Sequence, residues 1–239
     1  MKNNNVIFFI STRWFGALRI TEILRKKIKN NKYKIHIFGQ SDNLFTQFDT
    51  KNVCLHTLNI KSSYFDFYSD LKDIIKIVYF IIKLKPVAIH AMNPKPIFIS
   101  FFSTLFFPRI KFFSSQTGLG KLFEKNKFLI PLITKLLKKI NRRCSAVFFF
   151  NRGDFQMFEE KNVIEKEKII FVGPYVNVEK FSLKRGRLEK NFTQVICISR
   201  LLKQKGVIEF IEVAKKYKLS GNKIKVNFLL IGEIETKHE

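Results

Sequence analysis

At 239 residues and 46% hydrophobic content in regular apolar runs, the chain has material for one large domain or two small ones and is no disordered tail. Lys and Arg number 44 against 19 Asp and Glu, a formal charge of +25, which points to an anionic partner: nucleic acid, a phosphorylated substrate or an acidic membrane surface. Cys54, Cys144 and Cys197 are odd in number, far apart and in no Cys-x-x-Cys spacing, which argues against a disulfide framework and a zinc site and for reduced thiols in a cytoplasm.

Met1 to Asn5 lead straight into Val6 to Ile10, an apolar run too short for a secretory core, so Val6 to Ser11 reads as a first strand. Phe15 to Lys29 is helical in period, with Ala17, Ile20, Leu24 and Ile28 on one face. A second strand, Lys34 to Phe38, follows. Ser69 to Leu84 reads as a helix with Ser69 and Asp70 as capping candidates and an end before Pro86. Its Lys72, Lys76 and Lys83 share a narrow stripe, which predicts that most of this helix is buried. Further strands are expected at Ala88 to His90, Lys111 to Ser115, Val147 to Phe150 and Ile169 to Val172. The long apolar run Ile97 to Phe107 falls short of the roughly 18 to 20 residues that span a bilayer. Short β-branched or aromatic runs alternating with helical patterns predict an α/β fold with a parallel sheet.

Lys121 to Arg143 is strongly basic, with Pro131 suited to a helix start. Leu132, Ile133, Leu136, Leu137 and Ile140 form one face there, and Lys135, Lys138, Lys139, Arg142 and Arg143 another. This is either a solvated helix covering a core or a basic amphipathic surface on anionic lipid, where each cation is worth about 1 kcal/mol. Arg187 to Asn191 is charged and aperiodic, which places a domain boundary between 1–190 and 191–239. Phe192 to Ser199, Lys205 to Leu219 and Lys225 to Ile231 then make one βαβ unit, the incomplete start of a second Rossmann-like domain.

Chemistry concentrates where strands give way to helices. In Ser199-Arg200-Leu201-Leu202-Lys203-Gln204-Lys205-Gly206, a strand end, an arginine, a lysine and a glycine precede a helix. A helix start offers unpaired N–H groups and partial positive charge, and Arg200 and Lys205 add two full charges, so the loop suits a diphosphate. Gly16 and Arg19 follow the first strand, at the sheet edge where ligands bind. His90 and Lys95 border a turn through Pro94 and Pro96. His90 is either a strand-end histidine held by backbone carbonyls or a cleft residue. Thr117, Gly118 and Gly120 form a loop after the strand ending at Ser115, and Gly173 to Phe181 form another. The Gly-x-Gly-x-x-Gly fingerprint is absent, which disfavours a nicotinamide or flavin enzyme. Glu159 and Glu167 read as surface charge.

These positions together resemble the family-4 retaining glycosyltransferases of the GT-B fold, especially those building bacterial capsule, exopolysaccharide and lipopolysaccharide. The resemblance is carried by Gly16 and Arg19, His90 with Pro94-Lys95-Pro96, Thr117 to Gly120, Phe149-Phe150-Asn151 with Asp154, Gly173 to Phe181, and Arg200-Leu201 with Lys205-Gly206. It implies two Rossmann-like domains, an acceptor domain and a nucleotide-sugar domain, with Arg200, Lys205 and Gly16 on the donor diphosphate and no metal or other cofactor. It further implies a polyprenyl-linked or other lipid-linked glycan acceptor at the inner face of the cytoplasmic membrane. Where many relatives carry a histidine beside the acceptor this chain has Thr117, so no base is assigned there. The relatives' E-x7-E segment is not found in the donor part, so a truncated, weakly active or inactive transferase is expected. The rivals are a nonenzymatic docking subunit, half of a split transferase, and a nucleic-acid binder. The last is disfavoured because the basic residues are spread along a Rossmann-like pattern and no recognised RNA or DNA module appears.

Overall fold

The computed structural model describes residues 5–13, 33–40, 53–60, 66–116, 130–172, 182, 193–221 and 224–232. The chain divides into two compact units, Met1–Val176 and Asn177–Glu239. The boundary expected after Lys190 lies within 183–192, outside the described residues.

In the first unit β1 (Asn5–Arg13), β2 (Tyr33–Gln40), β3 (Val53–Thr57), β4 (Ala88–Met92), β5 (Lys111–Gln116), β6 (Ala146–Phe149) and β7 (Ile169–Phe171) form one sheet. Its order is β3-β2-β1-β4-β5-β6-β7 and every neighbouring pair is parallel. The fold is therefore the α/β parallel architecture expected. β3 had no counterpart in the sequence reading, because Val53 and Leu55 are its only large apolar residues; pairing with Ile35 and Ile37 of β2 completes it.

Four described helices follow: α1 (Phe67–Leu84), α2 (Pro94–Thr104), α3 (Ile130–Arg143) and α4 (Arg152–Glu160). All pack on one sheet face, where Phe8, Ile10, Phe38, Ile89, Phe112, Val147 and Phe149 meet Ile77 and Ile81 of α1, Ile97 and Phe101 of α2, Ile133 and Leu137 of α3 and Phe158 of α4. The opposite face carries a second cluster, Phe9, Ile35, Ile37, Val53 and Met92. The helix expected over Phe15 to Lys29 lies outside the described residues.

Two expectations for α1 are corrected. The cap is Asp66, whose carboxylate accepts the Ser69 amide at 3.3 Å, so Ser69 and Asp70 sit inside the first turn. Only Asp70, Asp73, Ile77 and Ile81 are buried, whereas Tyr68, Leu71, Ile75, Tyr79 and Ile82 are exposed. The lysine stripe marks one margin of the outer face, and the rest of that face is apolar. α3 buries Ile133, Leu137, Ile140 and Asn141 and leaves Lys135, Lys138, Lys139 and Arg142 outward, with Pro131 in its first turn.

In the second unit β8 (Thr193–Ile198) pairs parallel with β9 (Val226–Ile231), with α5 (Val207–Leu219) between them in sequence. Phe228 packs against Phe210 and Tyr217, with ring centroids 5.8 and 5.7 Å away. No residue of α5 is buried, and Ile198 and Leu219 are exposed.

Phe149 is fully buried, with the rings of Phe158 and Phe155 at 5.1 and 5.9 Å. Phe149→Ala is expected to lower unfolding free energy by about 3–5 kcal/mol in a urea titration, through lost transfer energy and a cavity. Phe171→Ala, at a half-exposed site on the edge strand, is expected to lose far less. Equal losses would contradict this packing.

Candidate functional site

The second unit holds the phosphate-shaped loop. Ser199 leaves the sheet with its amide on the Ile231 carbonyl at 3.0 Å, so the loop starts at the carboxyl end of β8. The Leu202 amide donates to Arg200 O at 2.8 Å and the Lys205 amide to Leu202 O at 2.9 Å, which pulls Arg200 and Lys205 into one tight turn. A 3-10 turn, Lys203–Lys205, runs into Gly206 at φ 74° and ψ 20°, a left-handed conformation that costs an L side chain roughly 1–2 kcal/mol. Gly206 also starts α5, since its carbonyl takes the Phe210 amide at 2.9 Å. The amides of Val207, Ile208 and Glu209 therefore belong to the first turn, which no preceding helical carbonyl serves. Arg200 and Lys205 are both exposed. Glu209 is an acid in that first turn; it complements the helix dipole and opposes an incoming phosphate, so the two cations must dominate the loop's charge.

Gly232, which the sequence reading passed over, closes this loop from the other strand. A Cβ there would fall on the Ser199 carbonyl oxygen and lie 3.2 Å from Leu201 Cδ2. Only a glycine lets the end of β9 pass this close to the start of the loop. Its signal was the glycine directly after the apolar run ending at Ile231.

The first unit offers a different edge. Strand order reverses between β1 and β4, the point where a parallel sheet opens a crevice at its carboxyl ends. Polar groups are buried toward that edge: Ser11 in β1, and Ser114, Ser115 and Gln116 in β5. His90 is in β4 with its Nε2 2.8 Å from Ser115 Oγ and its ring beside Phe148 at 5.3 Å, Phe9 at 5.7 Å and Phe113 at 6.3 Å. Its ring nitrogen meets a serine hydroxyl in place of the backbone carbonyls considered above. Burial among these rings pushes its pKa down to about 4, so the imidazole is neutral near neutral pH. Such a group can orient a hydroxyl and is a poor proton acceptor. Ser115 was legible only as the point where Lys-Phe-Phe turns to Ser-Ser-Gln.

Next to it the chain turns through Asn93 at φ 73° and ψ 154°, a region nearly reserved for glycine, with its amide 3.3 Å from Ser115 O. Lys95 then reaches back to α1, where its Nζ lies 2.8 Å from Asp70 Oδ1 in a largely buried ion pair. Asp73 lies one turn further along α1, accepting the Asn59 amide at 3.3 Å. Burial, with Asp70 nearby, raises the Asp73 pKa above its usual value despite that hydrogen bond. Lys95 thus ties the β4–α2 turn to α1.

Gly16, Arg19, Thr117, Gly118, Gly120 and the loop Gly173 to Phe181 lie outside the described residues. Asn151 and Asp154 have a local role: Asn151 caps α4, its Oδ1 accepting the Asp154 amide at 2.7 Å. Glu159 faces Lys166 at 3.4 Å on the surface. Among the described residues no three His, Cys, Asp or Glu side chains gather as a metal-binding group, and no helix is long and apolar enough to cross a membrane.

No family model matches the chain. It is homologous to the capsular polysaccharide biosynthesis glycosyltransferase CapM of Staphylococcus aureus, at 24% identity over 230 residues, covering 91% of this chain and 57% of CapM. The chain therefore spans little more than half of that relative's length. Among solved structures, Anabaena HepE in complex with UDP and glucose matches with a TM-score of 0.68 at 14% identity, over 96% of this chain and 61% of HepE. UDP-GlcNAc 2-epimerase of Neisseria meningitidis, bound to UDP-GlcNAc, matches at 0.58 and 12% identity, over 97% and 66%. The fold is thus GT-B-like, shared by glycosyltransferases and sugar-nucleotide epimerases.

Gly232→Ala is expected to lower the melting temperature and loosen the Ser199–Leu201 loop. Gly153→Ala in α4 is the control: a new Cβ there meets only the Asn151 side chain at 3.5 Å, so it should be neutral or slightly stabilising. A Gly232→Ala chain as stable as its parent would contradict the close approach.

His36 and His90 are both held near 4; His36 is lowered by burial first, then by the facing His56 and by Lys34. A histidine whose folded pKa is depressed binds protons more readily when unfolded. Its contribution is complete above the ordinary value of 6.5 and is lost as pH falls toward about 4. The raised Asp73 acts in the opposite sense, since protonation favours its buried form. Thermal melting should therefore weaken across the histidine window, with a shallower slope in His90→Gln. An unchanged slope in that variant would count against a buried neutral His90.

Proposed function

We propose that the chain is part of a glycosyltransferase of the family-4 retaining type, which moves a hexose-type sugar from a nucleotide-sugar donor to a lipid-linked or polysaccharide acceptor in capsule or lipopolysaccharide assembly. The observation that carries this reading is the β8–α5 loop, where Arg200, Lys205 and a glycine-opened helix start fall within one turn. In the reaction the bond between the anomeric carbon and the terminal phosphate oxygen breaks, an acceptor hydroxyl oxygen bonds to that carbon, and the hydroxyl proton passes to the departing diphosphate. Arg200 and Lys205 would take up the negative charge that builds on the departing diphosphate. A metal ion is not required for that neutralisation. The fold alone admits epimerases as well; homology to CapM and the arginine–lysine–glycine loop favour transfer. The second unit is read as the donor side and the carboxyl edge of the first as the acceptor side. The acceptor is read as lipid-linked, with the chain peripheral at the inner membrane face.

Titration calorimetry with UDP tests the donor half. Arg200→Ala and Lys205→Ala should each weaken binding roughly 10- to 100-fold, from about 1.5–3 kcal/mol per charge-assisted hydrogen bond. An unaltered chain that ignores UDP and other nucleoside diphosphates, or variants that bind as tightly as the parent, would overturn it.

A further inference from the structure

We propose that the outer face of α1 docks on an anionic lipid bilayer. In naming a membrane as the occupant this rests on the lipid-linked acceptor reading, while the surface itself is read from α1. At 3.6 residues per turn Tyr68, Ile75 and Tyr79 run along the middle of the outer face, with Leu71 and Ile82 on one side of them. Lys72, Lys76 and Lys83 line the next margin. Ile75 and Ile82 are 60% and 61% exposed and Tyr68 70%. Phe106 is exposed just past the end of α2, the helix packed beside α1.

The pattern is interfacial in its detail. Lys72 Nζ lies 4.3 Å from the Tyr68 ring centroid and Lys83 Nζ 5.5 Å from that of Tyr79, with Lys83 also donating to the Tyr79 hydroxyl at 3.3 Å. The ammonium groups of Lys72 and Lys83 thus sit over tyrosine rings at the edge of the apolar strip, a pairing of cations with amphipathic rings that suits a headgroup layer above acyl chains. Lys76 is committed elsewhere, to the Thr57 carbonyl at 2.6 Å. The two acids of α1, Asp70 and Asp73, are buried beneath it, so its outer face has no negative charge.

That charge pattern selects the occupant. A second copy would set two rows of lysine together without a carboxylate on either α1 face. An anionic bilayer satisfies both the lysines and the apolar strip. The basic outer face of α3, considered for the same role from sequence, exposes Lys135, Lys138, Lys139 and Arg142 with Leu132 as its one exposed large hydrophobic. It can be drawn toward a negative surface but has little to insert.

Sedimentation of the 239-residue chain with vesicles tests this. Binding is expected to phosphatidylglycerol–phosphatidylcholine vesicles and not to phosphatidylcholine alone, weakening with salt. Lys72→Gln with Lys83→Gln should cut the partition roughly 30-fold, from about 1 kcal/mol per surface lysine, and Ile75→Glu with Ile82→Glu at least as much. Lys135→Gln with Lys138→Gln should change it less. Hydroxyl-radical footprinting of the unaltered chain needs no variant: Tyr68 and Tyr79 should become protected when anionic vesicles are added. The proposal is overturned if those tyrosines stay reactive, if only the α3 variants lose binding, or if the chain is a dimer that Ile75→Glu disperses without lipid. Loss of UDP binding with vesicle binding intact would strike the transferase reading and leave this one standing.

Discussion

A parallel sheet sends every strand's carboxyl end to one edge, and where strand order reverses the flanking segments cannot close over that edge. β1 and β4 form this reversal in the first unit. Most of the informative chemistry of that unit follows from it: His90 on the Ser115 hydroxyl, Asn93 in a conformation normally left to glycine, and Lys95 anchored on Asp70. An apolar sheet tolerates so many buried polar groups only where they are paired or where a ligand is to be met. The second unit repeats the rule on a smaller scale, with the β8–α5 loop at the carboxyl end of its first strand.

The two edges differ in electrostatics. At the first, burial keeps His90 neutral and the Lys95 charge is met by Asp70, so the edge is suited to orienting hydroxyl groups. At the second, Arg200 and Lys205 are exposed on the turn that leads into the first turn of α5.

Much of this was legible in sequence because strands and loops here obey local rules. Aromatic and β-branched runs marked six of the seven strands of the first sheet, Pro131 marked the start of α3, and Arg200, Lys205 and Gly206 marked the phosphate-shaped turn. What escaped depends on tertiary contact. β3 is a strand because β2 pairs with it, not because its five residues alternate strongly. The burial of α1 is not legible because a lysine stripe marks only part of an exposed face; a helix lying on a sheet exposes about half its circumference, whatever residues occupy it. Gly232 and Ser115 matter through what approaches them from another strand, and no spacing along the chain announces that.

The most direct test of the account is a crystal structure of the chain with UDP bound. The diphosphate should lie within hydrogen-bond reach of Arg200, Lys205 and the first-turn amides of α5 after Gly206. A diphosphate seated elsewhere, with Arg200 and Lys205 left in solvent, would contradict it.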